Sequence, residues 1–295
     1  MDSEETIMNP QNATLADASV LGHHNGEQRQ YWDDKTADDI NLLAGEEDDL
    51  YHLHYGIGDF DRSVLDAPTA VRDELIQREL HRMETKQVDL ILEALDGLPA
   101  GSRGMDAGSG RGGTSFRIAQ KLGHRMDGVN FCAHHIEFAE GVARKRGWDK
   151  NVSFHFANMV NTPFEDGTFD FVVSNETTMY ADLGEFYAEI ARVLRPGGRY
   201  VATIWCRNDV VHPRSEATRL IDEHYVTDMH KRSTFFKTLA ANGLVPSRVT
   251  QHHEEALPYW ELRRQSPLRT GIEEPFLQGY QERSLDYLVI VAERV

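Results

Sequence analysis

Two carboxylates in this 295-residue chain occupy positions where chemistry is expected, and the first, Asp106, stands directly before a run of glycines. The stretch MDAGSGRGG, residues 105–113, has glycines at 108, 110 and 112, where a backbone can turn tightly and approach a ligand closely. Such a turn between a strand and a helix could bind a pyrophosphate, a nucleoside or no ligand at all. An acid before the first glycine would repel a pyrophosphate. It suits a ligand with an ammonium group, such as the methionine end of S-adenosylmethionine.

The second acid, Glu176, follows the apolar run at residues 171–174 within the stretch FVVSNETTMY. If that run is a buried strand, Glu176 lies just past its C-terminal end, where open α/β sheets bind ligands. A carboxylate there could act as a general base, and the alternative is an exposed acid in a loop. A pair of catalytic carboxylates or a metal site is not expected, because Glu176 lacks a partner for either.

Two histidines, His52 and His54, alternate within the aromatic and glycine-rich stretch YHLHYGIG, residues 51–58. On a strand they would share one face. They could then contact a phosphate or a ligand hydroxyl, whereas a metal site would lack a third ligand.

The elements that must position these residues form an alternating pattern after residue 98. Strand, helix and strand repeat at the spacing of a parallel sheet with helices on both faces, and two further strands follow at the end. The predicted strands are 104–106, 126–130, 152–156, 169–174, 199–205, 245–252 and 286–295. The predicted helices are 69–95, 114–122, 134–146 and 183–194.

The chain is predicted to divide into three parts. Residues 1–27 are polar and without periodicity, which predicts a mobile leader. Residues 28–98 are expected to form an N-terminal lid and a helical segment. Residues 99–295 are expected to form the ligand-binding domain, with substrate-cap insertions at about 208–242 and 254–283.

Composition excludes several classes of function. A net charge of -17 argues against nucleic-acid binding and against an anionic membrane surface. The acidic N-terminus lacks the pattern of a signal peptide, and the two cysteines, Cys132 and Cys206, are far apart, as expected in a reducing cytosol. No apolar run approaches the length of a membrane span. We expect an intracellular, cytoplasmic protein.

The glycine-rich turn and the later stretch LRPGGRY, residues 194–200, together resemble the class I methyltransferase pattern over about residues 101–205. The resemblance implies a Rossmann-like α/β fold, a seven-stranded and mostly parallel sheet, and S-adenosylmethionine as the cofactor. Asn130 stands where many such sites carry an acid for the ribose, and His135 is a second ribose candidate, or a solvated histidine at a helix start. The implied cofactor-binding residues are Asp106, Gly108, Gly110, Asn130, His135, Asn158, Met159 and Asn175.

A narrower resemblance covers residues 31–295. The stretches YHLHYGIG, SNETTMYADL, LPYWELR, TGIE and YLVIVAERV, on both sides of the cofactor core, are similar to the geranyl diphosphate C-methyltransferase family. In that chemistry a methylated alkene becomes a carbocation, and a base must remove one proton. Water must be excluded, and aromatic faces can stabilise the cation. The resemblance implies catalytic Glu176, Tyr51 and Tyr225. It implies substrate contacts from Tyr31, Tyr55, Tyr180, Trp205 and Trp260, although ordinary core packing is the alternative for any single aromatic.

Two departures from that family leave the prenyl substrate open. The acids of DDKTADD, residues 33–39, follow the lid pair Tyr31 and Trp32, and they would repel a diphosphate unless Mg²⁺ bridges them. Tyr225 also stands where an aromatic residue without a hydroxyl is expected. The alternatives are isopentenyl diphosphate, a prenyl group on an indole alkaloid, O- or N-methylation of a small metabolite, and a scaffold without catalysis. The expected partner is a small prenyl molecule, with a homo-oligomer left open.

Overall fold

The computed structural model of the protein describes residues 26–35, 39–209 and 214–295. The predicted leader lies outside the described residues, apart from Gly26 and Glu27 at the start of the first helix. The helices are α1 Gly26–Asp34, α2 Asp39–Ala44, α3 Thr69–Leu95, α4 Gly113–Leu122, α5 Ala133–Arg146, α6 Leu183–Val193, α7 Glu216–Tyr225, α8 Arg232–Ala241, α9 His253–Arg263 and α10 Glu273–Gln281. The strands are β1 Arg103–Ala107, β2 Arg125–Asn130, β3 Val152–Phe156, β4 Phe169–Asn175, β5 Leu194–Arg207, β6 Leu244–Gln251 and β7 Leu285–Arg294.

The strands form one seven-stranded sheet in the order β3-β2-β1-β4-β5-β7-β6. Strands β1 to β5 pair in parallel, and β7 runs antiparallel to both β5 and β6. This confirms the predicted Rossmann-like, mostly parallel α/β fold. The C-terminal ends of β1, β2, β4 and β5 therefore meet at one edge of the sheet, where such folds bind ligands.

One strand boundary differs clearly from its prediction. Strand β5 begins at Leu194 rather than near residue 199, because Leu194 already pairs with Phe169 on β4. The register then shifts, and the next pair is Arg199 with Phe171. The glycines of LRPGGRY lie inside this irregularity, and Gly197 has a positive φ of 73°. The proline-glycine segment therefore interrupts the ladder without ending it.

Separate hydrophobic clusters cover the sheet and its ligand-binding edge. Helices α3, α4 and α5 pack on one face through Ile91, Phe116 and Ile136, among others. Helices α6 and α8 pack on the other face through residues such as Phe186 and Phe235. A third, aromatic-rich cluster joins the first half of α3 to α7, α9 and α10. Most of the predicted cap insertions thus enclose the ligand-binding edge, while α8 packs on the sheet itself.

No helix among the described residues is both long and apolar enough to cross a lipid bilayer.

The close packing of β1 against β4 makes Gly104 a sensitive position. A Cβ there would lie 2.2 Å from ring carbons of Phe171 on β4. Gly104→Ala should therefore lower the free energy of unfolding by about 1–3 kcal/mol through overpacking. Gly141 in α5 is the matched control, since its added Cβ meets nothing within 4 Å. Gly141→Ala should raise the stability by about 0.5–1 kcal/mol. Urea unfolding measures both, and equal effects would contradict this account of the sheet.

Candidate functional site

The glycine-rich loop joins the end of β1 to the start of α4 at the ligand-binding edge of the sheet. Gly108 has a φ of 87° and Gly110 a φ of 52°, in the left-handed region that disfavours other residues. A Cβ on Gly108 would also meet Thr177 at 2.5 Å. The loop therefore needs glycine both for its conformation and for its close packing against the segment after β4.

Asp106, near the end of β1, is the acid of this loop and is only 1% exposed. Its Oδ2 accepts a hydrogen bond from the Ser115 hydroxyl at 2.7 Å. Burial raises the pKa of Asp106 to about 6, and the Ser115 bond opposes that rise. A cationic group brought by a ligand would stabilise this carboxylate, as the ammonium of a bound amino acid would.

The residues predicted to hold the nucleoside part surround the same cavity, with one exception. Asn130, His135 and Met159 line it. Both ring nitrogens of His135 are buried without a hydrogen-bond partner, and burial lowers the pKa of its ring to about 2, so a neutral ring is available to ribose hydroxyls. Asn158 does not line the cavity, and its Oδ1 instead accepts the Val160 amide at 3.2 Å.

These observations fit the predicted cofactor. A buried acid could pair with an ammonium group, a neutral buried histidine could hydrogen-bond to hydroxyls, and the glycines would allow close approach of the backbone.

The other end of the same cavity is aromatic. Tyr55, Tyr180, Trp205 and Tyr225 line it. The hydroxyls of Tyr55 and Tyr225 hydrogen-bond to each other, so the extra hydroxyl of Tyr225 is already satisfied. Trp260 lies behind this wall, with its ring 4.4 Å from that of Tyr55. The aromatic residues therefore present a largely apolar surface to the cavity.

Glu176 lines this cavity immediately after β4. The next residue, Thr177, packs against Gly108 at the cofactor end, and the Glu176 carboxylate accepts from Tyr55 at the aromatic end, so Glu176 joins the two ends. It has a φ of 55°, which a non-glycine residue rarely adopts, and it is 8% exposed. Its Oε1 accepts the Tyr287 hydroxyl at 2.6 Å and the Tyr55 amide at 3.4 Å. Burial raises the pKa of Glu176 to about 8, and these two hydrogen bonds oppose the rise. Such a carboxylate is a stronger base than one in water.

Tyr287 connects Glu176 to a buried network of side chains. Gln87 on α3 donates from Nε2 to the Tyr287 hydroxyl at 2.8 Å and to Asn175 Oδ1 at 2.7 Å. Asn175 Nδ2 donates in turn to Gln87 Oε1 at 3.1 Å and to Thr114 Oγ1 at 3.0 Å. Asn175 thus lines the cavity, as predicted, while its polar atoms are engaged in this network.

Tyr51, His52 and His54 line the cavity in an irregular segment rather than on a strand. The Tyr51 hydroxyl donates to Asp49 Oδ1 at 3.2 Å, and burial with the neighbouring Asp49 raises the pKa of Tyr51 to about 12. His54 Nε2 lies 3.1 Å from His52 Nδ1, and burial lowers the pKa of His54 to about 4. The two rings are therefore neutral hydrogen-bonding groups at pH 7. The catalytic assignment of Tyr51 stays a prediction.

Helix α1 lies across the mouth of the cavity. Trp32 contacts His135 at the cofactor end, with ring centroids 6.0 Å apart, and Tyr180 at the aromatic end, 5.7 Å apart. Tyr31 lies outside the cavity lining but contacts Tyr225 at 6.3 Å. Helix α1 therefore contacts residues at both ends of the cavity, and its role as a lid stays a prediction.

Two cationic side chains, Lys35 and Arg263, are among the residues that line the cavity. Lys35 Nζ lies 5.3 Å from the Trp32 ring centroid, near the mouth. Arg263 is 5% exposed, and its Nε donates to Glu273 Oε1 at 3.2 Å. Within the described ranges, no group of three or more His, Cys, Asp or Glu side chains could hold a metal ion.

The structure brings most of the predicted site residues to one cavity. Those that line it are Tyr51, Tyr55, Asp106, Gly108, Gly110, Asn130, His135, Met159, Asn175, Glu176, Tyr180, Trp205 and Tyr225. Tyr31, Asn158 and Trp260 lie outside the lining. Sequence analysis missed Gln87 and Tyr287, although a glutamine on the apolar face of α3 and a tyrosine at the start of an apolar strand are detectable departures from those patterns.

Comparisons with known proteins agree with this geometry. A family model described as a methyltransferase domain matches residues 98–257. The geranyl diphosphate 2-C-methyltransferase of Saccharopolyspora erythraea is 43% identical over 272 residues, covering 92% of this chain and 95% of that protein. The structure of geranyl diphosphate C-methyltransferase from Streptomyces coelicolor A3(2), with Mg²⁺, geranyl-S-thiolodiphosphate and S-adenosyl-L-homocysteine, matches with a TM-score of 0.89 at 35% identity, covering 94% of this chain and 99% of that one. A geranyl diphosphate methyltransferase in complex with GPP and sinefungin matches with a TM-score of 0.88 at 39% identity, covering 91% and 98%.

The sheet order, the glycine-rich loop and these matches define a class I S-adenosylmethionine-dependent methyltransferase. Within that class, the chain belongs to the geranyl diphosphate C-methyltransferase family. Both resemblances predicted from the sequence are confirmed.

The raised pKa of Glu176 has a consequence for stability. Its folded pKa of about 8 lies above the ordinary value of 4.5, so the folded state binds this proton more tightly and loses stability as pH rises between these values. Glu176→Gln should therefore stabilise the ligand-free protein by on the order of a few kcal/mol at pH 8 and by less than about 1 kcal/mol at pH 5. Thermal unfolding at both pH values measures the difference.

Glu189 supplies the matched control for this measurement. It is 7% exposed, and although burial opposes the effect, hydrogen bonds from Arg192 and Thr162 hold its pKa below the ordinary value. Glu189→Gln should therefore destabilise the protein. A Glu176→Gln variant with the same Tm shift at both pH values would contradict the assigned pKa.

Proposed function

We propose that this protein is an S-adenosylmethionine-dependent C-methyltransferase that methylates an alkene carbon of a prenyl diphosphate, with geranyl diphosphate as the first candidate. The proposal rests most on the position of Glu176, a buried carboxylate between a cofactor end and an aromatic end of one cavity. The names of the relatives and the ligands of the matched structures support the substrate class. We place the reaction in the cytoplasm and in terpenoid secondary metabolism, as the sequence predicts.

S-adenosylmethionine, when bound, supplies an electrophilic methyl group. Asp106 would meet its ammonium group, with the backbone of Gly108 and Gly110 beside it. Asn130 and His135 would hydrogen-bond the ribose, and Met159 would contact the adenine face. Asn158 and Asn175 would act indirectly, because one closes a turn and the other orients Gln87.

Glu176 would complete the reaction. The alkene's electron pair would form the new carbon-carbon bond to the methyl group while the bond from that methyl group to sulfur breaks. The electrons of the broken bond would stay on sulfur, S-adenosylhomocysteine would leave, and a carbocation would remain on the neighbouring carbon. Glu176 then removes a proton from the methylated carbon, and the electrons of that C–H bond re-form the alkene. Its negative charge also stabilises the cation before the proton is transferred.

The aromatic end would hold the prenyl chain and protect the cation. Ring faces such as those of Tyr55, Trp205 and Tyr225 can stabilise a desolvated cation by about 2 kcal/mol each. The Tyr55 hydroxyl donates a hydrogen bond to the Tyr225 hydroxyl, which holds these two rings together. Helix α1 would exclude water, which would otherwise trap the cation as an alcohol.

The diphosphate would lie toward the cationic groups of the cavity, Lys35 and Arg263. A Mg²⁺ ion could bridge the diphosphate and the acids within residues 33–39, which would otherwise repel it. The matched structure from Streptomyces coelicolor contains Mg²⁺. We retain residues 28–98 as a lid and helical segment, and residues 99–295 as the methyltransferase domain with its cap insertions. A homo-oligomer is not required to cover the site, since α1 already contacts Tyr180 and Tyr225 of its own chain.

The role of Glu176 predicts a separation of catalysis from cofactor binding. Glu176→Gln should lower kcat by about 100-fold or more, as expected when a general base is removed. The affinity for S-adenosylhomocysteine, measured by calorimetry, should change only a few fold, because Asp106 and His135 are intact. Glu189→Gln is the control and should retain turnover. It changes a buried side chain that bonds to Thr162 and Arg192. Unchanged turnover of Glu176→Gln would contradict the role of Glu176 as the general base.

The substrate class predicts the outcome of a product assay. Geranyl, isopentenyl and farnesyl diphosphates and a geranylated indole are each offered with labelled S-adenosylmethionine, with and without Mg²⁺. We expect geranyl diphosphate to be methylated on carbon, with at least about tenfold loss of rate when a chelator removes Mg²⁺. NMR of the product identifies the new carbon-carbon bond. A methyl group found on oxygen or nitrogen would overturn the C-methyltransferase assignment. Methylation of the geranylated indole alone would overturn the assignment of a prenyl diphosphate as substrate.

A further inference from the structure

We propose that Tyr287 and Gln87 are positioning residues that fix the Glu176 carboxylate, stabilise its charged form against burial, and leave Oε2 as the oxygen that receives the proton. This inference rests on the proposed role of Glu176 as the base. It assigns a function to residues from α3 and β7, far in sequence from both the glycine-rich loop and the base.

The hydrogen bonds to Glu176 are one-sided. The Tyr287 hydroxyl and the Tyr55 amide both donate to Oε1, at 2.6 and 3.4 Å. One oxygen of the carboxylate is thereby occupied by protein donors. The Trp205 side chain also lowers the pKa of Glu176, but its Nε1 has no partner at hydrogen-bonding geometry. Among the described residues, the hydrogen bonds thus leave the other oxygen, Oε2, for a proton that arrives from the cavity.

The direction of the Tyr287 hydrogen bond is fixed by Gln87. Gln87 Nε2 donates to the Tyr287 oxygen at 2.8 Å and to Asn175 Oδ1 at 2.7 Å, which uses both hydrogens of its amide group. The Tyr287 oxygen is therefore an acceptor from Gln87, and its own hydrogen points to Glu176. A hydroxyl without this partner could rotate and would hold the carboxylate less firmly.

Gln87 is itself held in one orientation. Asn175 Nδ2 donates back to Gln87 Oε1 at 3.1 Å and also to Thr114 Oγ1 at 3.0 Å. The Thr203 hydroxyl donates to Asn175 Oδ1. If the amide group of either Gln87 or Asn175 were turned over, both hydrogen bonds between the two side chains would be lost. Since Thr114 lies at the start of α4, the network ties the base to the glycine-rich loop that would hold the cofactor.

The energetic effect of this chain of donors opposes burial. A carboxylate removed from water favours its protonated form, in which it cannot accept a proton. Hydrogen bonds that donate to the charged form lower its pKa, and a bond to a charged group is stronger than one between neutral groups. Gln87 is 0% exposed and Tyr287 1%, so water cannot replace either donor.

A purely structural role would give these residues no effect on the pH dependence of the reaction. The decisive readout is therefore the rising limb of kcat/KM with pH, which reports the base in the free enzyme. Tyr287→Phe removes the donor and keeps the ring. Gln87→Met removes the amide and nearly keeps the volume.

Tyr280→Phe is the matched control. Tyr280 is a buried tyrosine, 2% exposed, whose pKa is raised by burial and by the charge of Glu176, and it does not donate a hydrogen bond to that carboxylate. We expect Tyr287→Phe to move the rising limb to higher pH by about one to two units, which lowers kcat/KM about 10- to 100-fold at pH 7. Gln87→Met should move it in the same direction by less, and Tyr280→Phe should leave it in place.

Several outcomes separate this inference from the proposed function. If Tyr287→Phe folds and the rising limb of its kcat/KM profile coincides with that of Tyr280→Phe, the positioning role is overturned. Loss of turnover in Glu176→Gln would in that case still support Glu176 as the base. Full turnover of Glu176→Gln instead overturns the base itself. Thermal unfolding and S-adenosylhomocysteine binding establish that each variant is folded. If Tyr287→Phe does not fold, Gln87→Met decides by the same criterion, and an unshifted limb in it overturns the inference.

Discussion

The structure depends on the burial of one carboxylate, that of Glu176, at the junction of a polar cofactor end and an aromatic end of the cavity. Removal from water raises its pKa to about 8 and makes it a stronger base. The strained backbone at Glu176 adds to this cost, and donors from distant segments, Tyr55 before α3 and Tyr287 on β7, offset part of it. This environment of Glu176 is therefore formed only when the N-terminal segment, the sheet centre and the C-terminal strand have all come together.

The two acids of the cavity differ from buried acids elsewhere in the protein. Asp106 accepts from Ser115, and Glu176 accepts from Tyr287 and Tyr55, all of them uncharged donors. By contrast, Glu189 pairs with Arg192, and its pKa lies below the ordinary value. The pKa values of Asp106 and Glu176 are raised to about 6 and about 8 by burial. Positive charge on a ligand would stabilise the ionised form of both acids, so that ligand binding offsets the electrostatic cost of their burial.

The sequence predicted the parts of the site that follow local rules. Asp106 and the glycines mark the end of a strand, and Glu176 follows an apolar run, so strand order alone brings them to one edge of the sheet. Asn158 is an exception: its side chain accepts the Val160 amide, a local bond that competes with a ligand contact and that the expected cofactor role passed over. The sequence could not predict Gln87 and Tyr287 as partners of the base, since their contacts join residues about 90 to 200 positions apart. Pairings of that kind exist only in the tertiary fold.

Arg263 adds a constraint on what the aromatic end can hold. Its guanidinium lies 5.8 Å from the ring centroids of Tyr55 and Trp260, and it is always charged. A carbocation formed nearby would be repelled unless that charge is balanced. The Glu273 carboxylate, which accepts from Arg263 Nε at 3.2 Å, balances part of that charge, and the Tyr259 hydroxyl accepts from Nη1 at 3.2 Å. A diphosphate at this end would complete the balance and would draw the anionic head of the substrate away from Glu176. A prenyl group on a neutral carrier would gain nothing from Arg263 or Lys35, so the arrangement of charges favours a diphosphate over an indole.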